Sequence, residues 1–237
     1  AQAYNWNLGN GQTSASTNES ANYAGPGAYI IELIASNQYG CSDTTTYTFN
    51  VYQSPTAFFD FGPYKGCAPL TIQFDNLSLL GTNFYWDFGD GTFSNEQEPV
   101  HIYSTSGLFS PSLIVTGVGG CTDTLESQSI VQAFPSPIAS FTYETHNLAA
   151  PEATVNFQNY SQDADIYSWF FGDGSSTTET NPTHTYSEND SFLVTLISGN
   201  AHGCYDTSMQ WINVDFKYGL YVPNALTPEN GPSATRL

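Results

Sequence analysis

Two histidines, His101 and His184, share one register, each standing two residues before a tyrosine, Tyr103 or Tyr186. An imidazole can act as general base, general acid or metal ligand, but only beside a nucleophile, a second titrating group or further ligands. No serine elbow, metal-binding helix motif or carboxylate pair accompanies either histidine. Their expected role is a hydrogen bond that braces a neighbouring hairpin.

The carboxylates that could hold a metal are Asp87 and Asp90, with Glu96 close behind. Calcium takes six or more oxygens converging on one point, and these residues lack the spacing of a dedicated calcium loop. An aspartate in a turn also accepts hydrogen bonds from its own backbone, which accounts for Asp90 and for its counterpart Asp173 without a metal. No cofactor is expected; Asp87 and Asp90 stand as the calcium candidates.

All of these residues belong to a segment that recurs. Tyr85-Trp86-Asp87-Phe88-Gly89-Asp90-Gly91 returns as Ser168-Trp169-Phe170-Phe171-Gly172-Asp173-Gly174, and in weaker form as Asn5-Trp6-Asn7-Leu8-Gly9-Asn10-Gly11. Trp6, Trp86 and Trp169 are 80 and 83 residues apart, a period that suits a whole small domain. Alternating apolar and polar residues ahead of a Gly-Asp-Gly turn describe a half-buried strand and a hairpin. The tryptophans and turn glycines are therefore core anchors and turn residues.

Around this segment each repeat carries short alternating strands, such as Leu70-Thr71-Ile72-Gln73-Phe74 and Thr154-Val155-Asn156-Phe157, separated by polar turns. Seven short strands at this spacing predict an all-β chain of tandem β-sandwiches in a linear array. The expected domains are 1–53, lacking its N-terminal strands, then 54–133 and 134–215, with 216–237 opening a further domain. Proline-bearing linkers such as Phe134-Pro135-Ser136-Pro137 should hold neighbours semi-rigidly. The chain opens without a signal peptide and inside a strand pattern, so it is expected to belong to a longer protein.

Composition narrows the partners. Lys and Arg total 3 against 22 Asp and Glu, a formal net charge of −19. Nucleic acids and anionic membranes need clustered cations, so neither is expected as a partner. No apolar run is long enough for a membrane span. With aromatics at 15%, some tyrosines could stack on sugars, although sandwich cores consume many aromatics.

Trp86-Asp87-Phe88-Gly89-Asp90-Gly91, then Pro99-x-His101-x-Tyr103 and Gly107, resemble the PKD domain, an immunoglobulin-like sandwich of extracellular and bacterial surface proteins. The third repeat departs at Phe170 and the first at Asn7, Asn10 and Ala21. Val222-Pro223-Asn224-Ala225-Leu226-Thr227-Pro228 resembles the start of the C-terminal sorting domain of gliding-motility-associated Bacteroidetes proteins, which directs type IX secretion.

These resemblances imply an exported, oxidising setting. There, Cys67 and Cys121 are expected to bridge within the second repeat. Cys204 is left without a partner, because Ala149 stands near the position equivalent to Cys67, and Cys41 would pair upstream. The Asp-Thr pairs holding Thr44, Thr124 and Thr207 resemble acceptors of Bacteroidetes O-glycosylation. The implied function is that of a non-catalytic spacer and adhesive module of a large secreted surface protein or filament, contacting other domains or copies of itself. The alternatives are an array binding surface glycans or matrix, and the accessory part of an exported hydrolase.

Overall fold

The computed structural model describes residues 3–146 and 153–214. The expected sorting-type segment 216–237 and Ala149 lie outside them. The chain divides into two compact units, Ala1–Pro135 and Ser136–Leu237. Among the described residues every element is a strand except one 3₁₀ turn, Val118–Gly120, and no helix is long and apolar enough to cross a membrane.

The first unit opens with β1 (Ala3–Asn7), β2 (Thr13–Ser14), β3 (Gly27–Ser36) and β4 (Ser42–Val51), which form one sheet in the order β2-β1-β3-β4. The second repeat follows with β5 (Phe59–Gly62), β6 (Lys65–Cys67), β7 (Leu70–Asn76), β8 (Gly81–Asp87), β9 (Phe93–Ser94), β10 (Val100–Tyr103), β11 (Gly107–Phe109), β12 (Ser112–Gly117), β13 (Thr122–Glu126) and β14 (Val131–Phe134). Its sheets are β10-β7-β5, β13-β12-β8-β9 and a small mixed sheet, β11-β14-β6. The second unit holds β15 (Phe141–His146), β16 (Ala153–Asn159), β17 (Ile166–Phe170), β18 (Ser176–Thr177), β19 (Thr183–Tyr186), β20 (Asp190–Gly199) and β21 (Tyr205–Val214), in sheets β15-β16-β19 and β18-β17-β20-β21. The second and third repeats are immunoglobulin-like sandwiches in tandem, preceded by the single sheet of the first, and the chain is all-β.

Side chains that alternate along each strand meet between the sheets. In the second repeat Ile72, Phe74, Trp86, Tyr103, Leu113 and Val115 are fully buried together; Val155, Phe157, Trp169, Tyr186 and Leu196 do the same in the third. The rings pack edge-on: Phe59 lies 5.0 Å from Trp86 and Phe141 5.1 Å from Trp169. Burying rings of this size supplies about 2–3 kcal/mol each. One proline separates the two architectures. Pro111 interrupts the second repeat between β11 and β12, because it cannot donate to a ladder. At the equivalent place the third repeat has Val194, and β20 runs unbroken.

The cysteines correct the expectation. Cys67 is disulfide-bonded, but Cys121 is a free thiol, as is Cys41, so no Cys67–Cys121 bridge forms. The run Gly107 to Gly117 spans the second repeat: Cys67 pairs with Phe134 beside the Gly107 end, and Cys121 accepts from Gly117 N at the other. Ten residues at a strand rise separate those ends by about 30 Å, whereas a disulfide needs Cα atoms within about 7 Å. Cys204, expected to lack a partner, is disulfide-bonded and buried.

Candidate functional site

The recurring hairpin is held by one set of bonds in three versions. The Trp86 indole donates to Glu96 O at 2.9 Å, Trp169 to Glu179 O at 2.9 Å and Trp6 to Ser16 O at 3.0 Å. Each indole thus fixes the strand returning from its own turn. Asp87 Oδ1 accepts from Gly89 N, and Asp90 Oδ1 from Thr92 N and Thr92 Oγ1. Asn7 and Asn10 accept the equivalent backbone bonds in the first repeat, so a neutral oxygen serves at either position; the third repeat has Phe170 in place of Asp87 and keeps the second bond, from Ser175 N to Asp173 Oδ1. Gly89 has φ +79°, and a Cβ there would lie 2.8 Å from Ser110 N. The turn and the neighbouring backbone together admit only glycine.

The structure brings each histidine onto this turn. His101 Nε2 lies 2.7 Å from Asp90 Oδ2, and His184 Nε2 2.7 Å from Asp173 Oδ2. The His101 ring stacks on Phe88 at 4.1 Å and meets Tyr103 edge-on at 4.6 Å; His184 repeats this on Phe171 and Tyr186 at 4.2 and 4.6 Å. Behind it Tyr103 Oη donates to Phe88 O at 2.9 Å, and Tyr186 Oη to Phe171 O at 3.0 Å.

The electrostatics follow from the geometry. Burial pushes the Asp90 carboxyl up, but hydrogen bonds from the Thr92 hydroxyl, His101 and Thr92 N outweigh it and hold the group below its ordinary range. Asp173 is held down against its own burial in the same way, by Ser175 and His184. Burial, followed by the charges of Asp90 and Asp87, pushes the Tyr103 phenol well above its ordinary value. Tyr186 is pushed up by burial and Asp173.

A hydroxyl, an imidazole and a carboxylate therefore meet in the second and third repeats, and their wiring is the wrong one for nucleophilic catalysis. In a triad the carboxylate holds one ring nitrogen and the nucleophile uses the other. Here Ser175 Oγ, at 3.3 Å, and Asp173 both approach Nε2 of His184, and Thr92 Oγ1, at 3.4 Å, and Asp90 both approach Nε2 of His101. The hydroxyls also donate to the same carboxylates. The cluster is a closed clamp. The calcium candidates Asp87 and Asp90 carry out this turn chemistry, and no group of three or more His, Cys, Asp or Glu that could hold a metal ion occurs among the described residues.

The Asp-Thr pairs divide between two roles. Asp123 Oδ2 accepts from Ala57 N and Asp206 Oδ2 from Ala139 N, each at 2.8 Å, which pins the first segment of its repeat to the opposite sheet. Thr44, Thr124 and Thr207 are exposed on β4, β13 and β21.

One feature was not visible in the sequence. On the outer face of the second repeat Tyr85, 40% exposed, stacks with Phe93 at 5.5 Å beside a cleft of about 450 Å³. Asn83, Asn95, Gln97 and Thr116 line it. The available signal was parity: Asn83 and Tyr85 alternate with the inward-facing Phe84 and Trp86.

The sequence profile of the PKD domain matches residues 1–51, 55–131 and 135–214. Among curated proteins, the chain is similar to the pre-pro-metalloprotease PrtV of Vibrio cholerae serotype O1 (strain M66-2), with 37% identity over 95 residues, 38% of this chain and 9% of that protein. It is similar also to collagenase ColA of Bacillus cereus, with 31% identity over 88 residues, 35% of this chain and 9% of that protein. The match thus spans less than a tenth of either relative. Among solved structures, the PKD1 domain of the Vibrio cholerae metalloprotease PrtV is 37% identical, covering 34% of this chain and 98% of that one, with a TM-score of 0.30.

Proposed function

The chain belongs to the PKD domain family, and from that premise we propose that it is a non-catalytic spacer and adhesive segment of a large secreted surface protein. The observation that carries this reading is the closed Asp-His clamp. Among the described residues, this constellation of catalytic residue types spends its polar atoms on the fold, in two repeats alike. The second and third repeats also differ on outward faces, as at Tyr85 and Ser168 or Phe93 and Ser176, where contacts with other domains, copies or matrix would form. The repeats are taken as 1–53, 54–133 and 134–215, held semi-rigidly by proline-bearing linkers. Residues 222–228 support export by the type IX route through their resemblance to a sorting domain, with Thr44, Thr124 and Thr207 as exposed acceptors for O-glycosylation.

A second reading is favoured by the relatives named as a metalloprotease and a collagenase: the segment is the accessory part of an exported hydrolase. An in-frame deletion of residues 54–214 from the parent gene separates the two. The spacer reading expects reduced cell attachment with secreted proteolysis unchanged. Unchanged attachment with impaired digestion of insoluble protein overturns it in favour of the accessory reading.

A further inference from the structure

We propose that the second repeat carries a binding cleft for a neutral oligosaccharide on its outer sheet face, a specific site beyond the spacer role. The aromatic side of the cleft is Tyr85, 40% exposed, extended beyond the lining by Phe93, 54% exposed, which stacks on it. Such a surface suits the flat C–H face of a pyranose, which is apolar while its rim is polar.

The polar half is preorganised. The Trp86 indole holds Glu96 O, and Asn95 and Gln97 flank that anchored residue, both exposed and both lining the cleft. Neither side chain has a hydrogen-bond partner among the described residues. Across the cleft, Thr82 Oγ1 donates to Asn83 Oδ1 at 3.0 Å and contacts Thr116 O at 3.0 Å, which orients the Asn83 amide with its Nδ2 free. Amides with both donors and acceptors open match vicinal hydroxyls, which also donate and accept. No charged residue lines the cleft. In a chain of net charge −19 that arrangement disfavours acidic glycans and gives an amine no carboxylate to pair with.

The other repeats provide internal controls. At the positions of Asn83, Tyr85, Phe93, Asn95 and Gln97 the third repeat has Ile166, Ser168, Ser176, Thr178 and Thr180. The first has Ala3, Asn5, Thr13, Ala15 and Thr17. Both keep the indole bond that fixes the returning strand, so the scaffold is common and the platform belongs to the second repeat.

The test is saturation-transfer NMR of the full 237-residue chain with cellohexaose, chitohexaose and mannohexaose. Transfer to the pyranose ring protons of at least one is expected, with affinity lowered about tenfold or more in Tyr85→Ala and about threefold to tenfold in Asn95→Ala or Gln97→Ala. Thr180→Ala in the third repeat should leave it unchanged. If Tyr85→Ala misfolds, the double variant Asn95→Ala/Gln97→Ala, altered only at exposed side chains, carries the test. No transfer to any of the three sugars overturns the proposal. So does transfer that survives these variants, or binding of a collagen-like peptide while the sugars stay silent.

Discussion

The second and third repeats match in their tryptophan, histidine and tyrosine contacts and differ on their outer faces. Their indole bonds agree at 2.9 Å, their Asp-His contacts at 2.7 Å, and their tyrosine–histidine ring contacts at 4.6 Å. Outside, Tyr85 faces Phe93 where the third repeat has two serines, Ser168 and Ser176. That third repeat instead exposes Trp211, Met209 and Phe170. The shared interior is what one fold demands, and the outer faces are free to diverge. The first repeat adds a limit. Its single four-stranded sheet leaves Trp6 half-buried, while its counterparts are fully buried.

The largest effect should come from the anchors. Trp86→Ala and Trp169→Ala remove a fully buried ring and its bond to a returning strand, a loss of about 3–5 kcal/mol each. Trp6→Ala should cost clearly less, because its ring is already partly wet. Denaturant unfolding of the three variants measures this, and equal losses at all three positions would break the comparison. Cysteines come next. Alkylation of the unreduced, unfolded chain should label Cys41 and Cys121 and leave Cys67 and Cys204 untouched. Cys67→Ser should then lower stability by about 2–5 kcal/mol, and Cys121→Ser should change it little. Label on Cys67 in the unreduced chain would sink this assignment.

Tyr103→Phe and Tyr186→Phe sharpen the likeness of the two interiors. Each leaves a buried carbonyl, Phe88 O or Phe171 O, without its donor, at about 1–3 kcal/mol. The pair should agree closely; a large difference between them would show that the matching geometry hides unequal packing.

The hairpin was legible in the sequence because its parts are local and repeated. Tryptophan, turn glycines, the turn aspartate and the histidine eleven residues after it recur at fixed offsets in the second and third repeats, and the change to Asn7 and Asn10 in the first, with the tryptophan and both glycines kept, marked those three as the part the fold needs. Strands such as Thr13–Ser14, Lys65–Cys67 and Phe93–Ser94 were not legible, because two or three residues carry no period. The disulfide failed for a different reason. Cys67 and Cys121 flank strands of the same repeat, and only the path of β11 and β12 shows that they sit at opposite ends. The cleft depends on how Trp86 fixes Glu96, a bond across the hairpin that the residue pattern does not report.

The smallest expected effect is on the acid limb of stability, and it tests whether the two clamps act alike. Asp90 and Asp173 are both held below their ordinary range in the folded chain, their hydrogen bonds outweighing burial. A group depressed on folding binds its proton more readily when unfolded, so its contribution is present above the unfolded value, about 3.9, and is lost as pH falls through the folded one. Stability should therefore fall on acidification below about pH 4, and each of Asp90→Asn and Asp173→Asn should flatten part of that fall. The asparagine can still accept the backbone bond from Thr92 or Ser175, as Asn10 does from Gln12 in the first repeat, so the turn itself should survive. Melts of the two variants between pH 7 and 3, against the parent chain, read the difference. An acid limb unchanged by either substitution would mean that the carboxylates serve the turn as neutral acceptors do, and that the second and third repeats resemble the first more closely than their histidines suggest.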